Sequence, residues 1–274
     1  MSDVTSGLQG LWRRSMIAWP DGRRDTTTRV YWLQGLRACA DLRQPATPAA
    51  AAASPDLSGV SALHQLSIEH CLWLAQQQGF AGQLAFDGTY YEWLRSIDFQ
   101  PSATQADAGS LCWQGEVLVE TGRDIAYVEY WHRDPSAPTV PVAAMALRDA
   151  DESTAAALLR VGSLFMFARD RAQPAAAGRT LCECVAGAPT LHQARALLDC
   201  EISLGDARAA GFRITASTLP WRIGAVLDPQ LEHDHLWILD QAPNGSALRR
   251  RWQIIEREGE IESACSNSLA GVEQ

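Results

Sequence analysis

The chain has 274 residues, long enough for two domains, and 47% of them are apolar, ample for buried cores. Its 23 basic against 32 acidic residues give a net charge of −9, which argues against a nucleic-acid footprint or a polybasic membrane contact. All 23 are arginines, so a Schiff-base lysine is excluded, and this lysine-free, alanine-rich text reads as that of a high-GC bacterial genome.

Residues 1–10 lack the basic start and apolar run of a secretory leader, and no stretch reaches membrane-span length. The expected location is therefore the cytoplasm, without membrane association. Seven scattered cysteines, with no CxxC pair, read there as small buried apolar residues.

Strand-like alternation over residues 11–19 runs into the turn Pro20-Asp21-Gly22, and strands are predicted over 26–33 and 36–43. An Ala/Pro loop occupies 44–58. Residues 59–78 read as the one α-helix, with Leu63, Leu66, Trp73 and Leu74 at helical spacing, Ser58 or Ser61 as its cap and Gly79 as its end. Strands resume over 83–86, 90–99, 110–113, 116–120 and 125–133. After a Pro-rich joint at 134–138, further strands are expected over 142–148, 158–169, 179–185, 198–204, 212–218, 221–227, 235–239 and 248–256. A short helix is expected at 190–198 and a polar tail from Gly259.

One arrangement occurs twice: Trp93-Leu94-Arg95 leading to Asp98 and Pro101, and Trp221-Arg222-Ile223 leading to Asp228-Pro229. It suggests two copies of one β unit, residues 1–138 and 139–274. Gly10-Leu11-Trp12 resembles the Gly-x-Trp opening of lipocalin-like barrels. Residues 32–45 and 82–98, Val119-Glu120-Thr121-Gly122 and the run from Glu129 to Pro135 resemble the fungal Hri-type family, with a fainter likeness over 158–167. That resemblance implies a fold and no reaction: mainly β, two consecutive lipocalin-like antiparallel β-barrels with one α-helix inserted in the first. The Ala/Pro loop and the helix after Arg43 depart from the family's pattern.

On the predicted strand 90–99, Tyr91, Trp93, Arg95, Ile97 and Phe99 share one face, the expected interior. An arginine among aromatics needs a carboxylate or a ligand anion, and Glu129, on one face with Tyr127 and Trp131, is the expected partner. Trp12, Trp32, Trp93 and Trp131 either fill the first barrel or form the wall of a cavity. In the cavity reading, Arg95 and Arg14 grip a carboxylate or planar ring among these tryptophans; in the plainer reading, the ion pair closes the barrel floor.

His233 and His235, and Cys182 and Cys184, each place two ligand-type residues on one strand face without a second pair, so no metal and no cofactor is expected. There is no nucleophile elbow and no phosphate loop. Arg249-Arg250-Arg251 reads as a solvated strand face.

The expectation is a protein that binds a small hydrophobic or aromatic anionic ligand in the first barrel, the second barrel being filled. The alternatives are an enzyme with Glu129 or Glu120 as base and Arg95 as anion stabiliser, and an interaction scaffold with filled barrels. A strand edge left by an unclosed barrel offers a route to a homodimer.

Overall fold

The structure is a computed structural model and describes residues 7–46, 55–149, 154–208 and 211–265, without the side chains of 263 and 264. Most of the predicted Ala/Pro loop and the tail beyond 265 lie outside the described residues. The first half builds β1 (Gly10–Ala18), β2 (Arg24–Asp25), β3 (Arg29–Gln34), β4 (Ala38–Gln44), β5 (Gln78–Phe86), β6 (Tyr91–Asp98), β7 (Ala108–Gln114), β8 (Val117–Gly122) and β9 (Val128–Arg133). Sheet neighbours follow chain order, apart from β2 on the outer edge of β1. β1 also pairs antiparallel with β9, from Trp12↔Arg133 to Ala18↔Val128, which closes an eight-stranded barrel.

The second half builds β10 (Val142–Asp149), β11 (Ala155–Val161), β12 (Leu164–Arg169), β13 (Glu201–Asp206), β14 (Arg213–Ser217), β15 (Gln230–Glu232), β16 (His235–Gln241) and β17 (Ala247–Gly259). They form one sheet in the order β14-β13-β12-β11-β10-β17-β16-β15. Loop backbone bridges the gap at its ends: the Leu227 N–H donates to the Phe212 carbonyl at 3.0 Å, and the Leu239 N–H donates to the Leu227 carbonyl at 2.7 Å. The second unit is thus a half-barrel, closed by irregular chain where the first has a strand.

Three short helices join the strands: α1 (Ile68–Leu74), α2 (Leu181–Ala186) and α3 (Leu191–Leu197). The helix expected over 59–78 is corrected. Its first part is a 3₁₀ turn, Leu63–Gln65, the cap is Ser67, whose side chain accepts the His70 N–H, and Gln78 to Gly82 already belong to β5. The strand expected over 179–185 is α2, capped by Thr180 and Glu183 acting reciprocally. The single strand expected over 158–169 is a hairpin of β11 and β12 turning at Gly162, whose φ is +59°.

The repeated Trp-Arg motif does not mark equivalent places. Trp93 lies on β6, whereas Trp221 lies in a 3₁₀ turn, Pro220–Arg222, after β14. The duplication is topological: leaving β2 aside, helices interrupt each unit between its third and fourth strands, α1 between β4 and β5, and α2 with α3 between β12 and β13.

Burial follows three cores. Inside the first barrel lie Trp12, Val30, Trp32, Phe80, Leu84, Trp93, Leu118 and Trp131. Inside the second lie Phe165, Phe167, Phe212, Leu236, Ile238 and Trp252. The third core is shared between the units: Leu33, Leu42, Ile97 and Phe99 of the first meet Leu159, Met166 and Ile202 of the second, with Leu66, Leu74, Leu181 and Val185 from the helix layer. β3, β4, β11 and β12 are therefore apolar on both faces.

Candidate functional site

The tryptophans of the first barrel pack on one another. Trp32 lies 5.7 Å from Trp12, 5.7 Å from Trp93 and 5.5 Å from Trp131, ring centre to ring centre, and Trp12, Trp32 and Trp131 are almost fully buried. These rings form core. Below them the same interior carries an ion network. Arg14 Nη1 donates to Glu129 Oε1 at 2.5 Å, Arg43 reaches Glu129 at 3.9 Å, and Arg43 Nε donates to Asp41 Oδ1 at 2.7 Å.

The expected pairing of Arg95 with Glu129 is corrected. Arg95 forks onto Asp98 and Asp107, with its guanidinium 4.2 Å over the Phe80 ring. The reason is a β-bulge. Ala81 pairs with Ile97 and Gly82 pairs with Arg95, so Ser96 is the extra residue and the alternation slips by one. Trp93 consequently packs in the barrel core while Ile97 and Phe99 turn to the core shared with the second unit, which corrects their placement on one face. Gly82 permits this crossing, since a Cβ there would sit 1.9 Å from the Leu94 carbonyl oxygen.

Beside the bulge the two units leave a cleft of ≈ 770 Å³, partly open to solvent. Its apolar walls combine alanines, Ala40 and Ala81 from the first unit and Ala144, Ala157 and Ala168 from the second, with larger side chains such as Leu94, Leu159 and Met166. The alanines continue the shared core, where larger residues close the gap elsewhere; small side chains make the space. Polar groups gather at the rim: Arg95, Asp98 and Asp107 near the bulge, Asp170 and Arg171 beyond the end of β12, and Glu256 and Glu258 on β17.

Of the residues singled out in the sequence, Trp93, Arg95 and Tyr127 line this cleft, while Trp12, Arg14, Trp32, Glu129 and Trp131 stay within the first barrel. Arg171 was not anticipated. It follows β12 in a segment without periodicity, and only the tertiary fold carries it across to the backbone of Asp98 and Phe99.

The buried carboxyls have distinct electrostatics. Glu120 faces Glu129 across β8 and β9, and accepts the Tyr127 hydroxyl at 2.6 Å and the Trp131 indole N–H at 3.0 Å. Burial first, and the Glu129 charge second, push Glu120 up to about 8. Glu129 is also raised by burial, with the Arg43 and Arg14 guanidiniums opposing that rise. Burial and the neighbouring charge thus favour the neutral form of Glu120, while the two guanidiniums favour the ionised form of Glu129. Burial raises the Asp98 carboxyl despite Arg95, and raises the Cys39 thiol in the cleft wall, so that cysteine is no ready nucleophile.

The remaining candidates do not assemble. His233 sits at a turn with φ +54°, and Cys182 and Cys184 lie on α2 rather than on a strand face. Among the described residues no three His, Cys, Asp or Glu side chains gather as a metal site, and no helix is long and apolar enough to cross a membrane. In the arginine run, Arg249 and Arg251 are exposed, while Arg250 bonds Asp240 and Asp149.

Fold and cleft together define a mainly β protein of two consecutive antiparallel units, a closed barrel and a half-barrel, with a cleft between them. No protein-family description and no curated protein matches the chain. Among solved structures it is similar to an uncharacterized protein from Saccharomyces cerevisiae, at 11% identity over 91% of this chain and 98% of that one, with a TM-score of 0.48. A DNA polymerase III β subunit from Thermotoga maritima aligns at 8% identity over 95% of this chain and 78% of that one, with a TM-score of 0.15. Neither likeness carries a ligand or a reaction over to this chain.

Proposed function

We propose that the protein binds a small molecule with an apolar body in the cleft between the two units, rather than inside the first barrel. The observation that carries this reading is the cleft itself: ≈ 770 Å³, lined by alanines, leucines and methionines, with charged groups at its edges. Small-molecule sites have this size and this mixture of apolar wall and few convergent polar groups. The seven free cysteines support a reducing, cytoplasmic setting.

The test is native mass spectrometry of the protein purified from its own cells, beside a denatured aliquot and beside Ala157→Phe. Ala157 is half-buried on β11 with its side chain at the cleft, so a phenyl ring there fills the space. The expected result is a bound mass in the native protein, lost on denaturation and absent from the folded variant. A bound mass that survives Ala157→Phe contradicts the cleft as its seat.

A second reading, acid–base catalysis, is favoured by the raised Glu120 carboxyl and its bond to Tyr127, a residue of the cleft wall. Glu120 itself is 3% exposed and reaches the cleft through that phenol alone, so binding without turnover is the better-supported activity.

A further inference from the structure

We infer that the cleft ligand is a carboxylic acid whose carboxylate is held by Arg171, an inference that rests on the proposed binding role and adds the chemistry of the head group. Burying a guanidinium without a counter-charge is costly, so buried arginines are found with carboxylates. Arg14, Arg169 and Arg222 of this chain obey that rule, through Glu129, through Asp199 and Asp240, and through Glu201.

Arg171 does not. It is 6% exposed, its Nη2 donates only to the backbone carbonyls of Asp98 and Phe99, and its Nε is buried with no hydrogen-bond partner. The Cys200 thiol is hydrogen-bonded and electrostatically linked to the Arg171 side chain, and the guanidinium lies 5.8 Å over the Phe99 ring, but neither contact satisfies that Nε or supplies a carboxylate. Among the described residues no carboxylate lies within ion-pair distance of it; adjacent Asp170 turns its Oδ1 to the Arg171 backbone N–H at 2.8 Å. The side chain forms part of the cleft wall, at the end of the apolar track laid by Met166 and Ala168.

The cleft as a whole carries more acidic than basic side chains, which would repel an anion if they were free. At both other rims they are engaged. Asp98 and Asp107 hold Arg95, Glu256 accepts from Arg37 at 3.0 Å, and Glu258 accepts the backbone N–H groups of Leu36, Arg37 and Ala38. Asp98 acts on Arg171 only at longer range, so what the wall lacks, among the described residues, is a carboxylate within ion-pair distance of Arg171. A carboxylate suits a guanidinium fork, and an acyl chain or aromatic ring suits the apolar wall. Arg95, expected from the sequence to be the anion anchor, already has both its carboxylates.

The test is isothermal titration of the full chain with two matched pairs, dodecanoate against dodecan-1-ol and 2-naphthoate against 2-naphthylmethanol. The expected result is that the wild type binds at least one acid about tenfold to a hundredfold more tightly than its alcohol, the worth of charge-assisted hydrogen bonds. Arg171→Gln should erase that difference and leave the alcohol's affinity unchanged. Should the glutamine variant not fold, Arg171→Lys, which keeps the charge and loses the fork, is expected to bind the acid several-fold more weakly while still preferring it.

Equal binding of acid and alcohol by the wild type overturns the carboxylate and leaves the cleft reading standing. So does an acid preference that survives Arg171→Gln but is lost in Arg95→Gln, which returns the anchor to Arg95. An acid affinity unchanged in Arg171→Lys also overturns it. Binding of none of the four compounds, with no bound mass in the native protein, overturns both readings together.

Discussion

At the scale of single residues, the first barrel is held by groups that are costly to bury and are therefore bound to one another. Removing one partner of a buried pair leaves the other uncompensated, at about 3–5 kcal/mol, whereas removing both costs far less. Arg14→Met is expected to destabilise the protein by that amount, because Glu129, only 3% exposed at its side chain, loses its 2.5 Å partner. The double variant Arg14→Met/Glu129→Met should recover most of the loss in guanidinium unfolding. Glu120 behaves in the opposite sense with pH. Its folded value of about 8 lies above the ordinary 4.5, so between those limits the folded chain holds a proton that the unfolded chain has released. Stability from this group is full below about 4.5, falls as pH rises through the window, and levels off above about 8. Glu120→Gln, neutral throughout, should flatten that decline, and the Tm difference between variant and wild type should grow by several degrees from mildly acid to mildly alkaline pH. A constant difference across that range would show that Glu120 is ionised in the folded protein.

At the scale of elements, the hinge of the site is the crossing of β5 and β6. Gly82→Ala places a Cβ 1.9 Å from the Leu94 carbonyl oxygen, so the two strands must part, and a loss of about 2 kcal/mol or more is expected in the same unfolding measurement. Elements with one polar face were legible in the sequence. β9 alternates, and β7, β8 and β9 are punctuated by turns at Gly115 and after Gly122, so they fall within two or three residues of expectation. β11 and β12 were not, because the shared core buries their second face. With Leu158 inside the half-barrel and Leu159 outside it, the run has no period, and only Gly162 marks the turn. α2 passed for a strand because Leu181-Cys182-Glu183-Cys184-Val185 alternates; the Thr180 and Glu183 capping box was the signal that contradicted it. The site divided in the same way. Residue types were legible, so Arg95 and its aromatic surroundings stood out, but faces beyond Arg95 were lost to the bulge at Ser96, which no local pattern announces. Arg171 was invisible because its meaning depends on which backbone it meets in the other unit.

At the scale of the whole molecule, the two units repeat a topology but do not stand alone. A barrel that folds independently presents a polar outer face, whereas here β3, β4, β5 and β6 turn Leu33, Leu42, Ala81 and Ile97 outward, against Leu159, Met166 and Ile202. Cutting the chain at the Pro-rich joint would expose those side chains and the apolar faces of α1 and α2 together, a patch of the kind that drives association. Residues 1–138 and 139–274 produced separately are therefore expected to lack a cooperative thermal transition and to bind a hydrophobic dye, while the two mixed should recover a single transition near that of the full chain. Near-ultraviolet circular dichroism against temperature, following the tryptophans of the first barrel, reads both outcomes. A cooperative melt of residues 1–138 alone would show that the closed barrel suffices for its own stability. The shared core would then be an interface between finished domains, and the cleft within it a gap that could open and close. Failure of the halves and recovery on mixing would mean instead that the cleft is a fixed feature of one folding unit, its walls held apart by the same side chains that stabilise the whole.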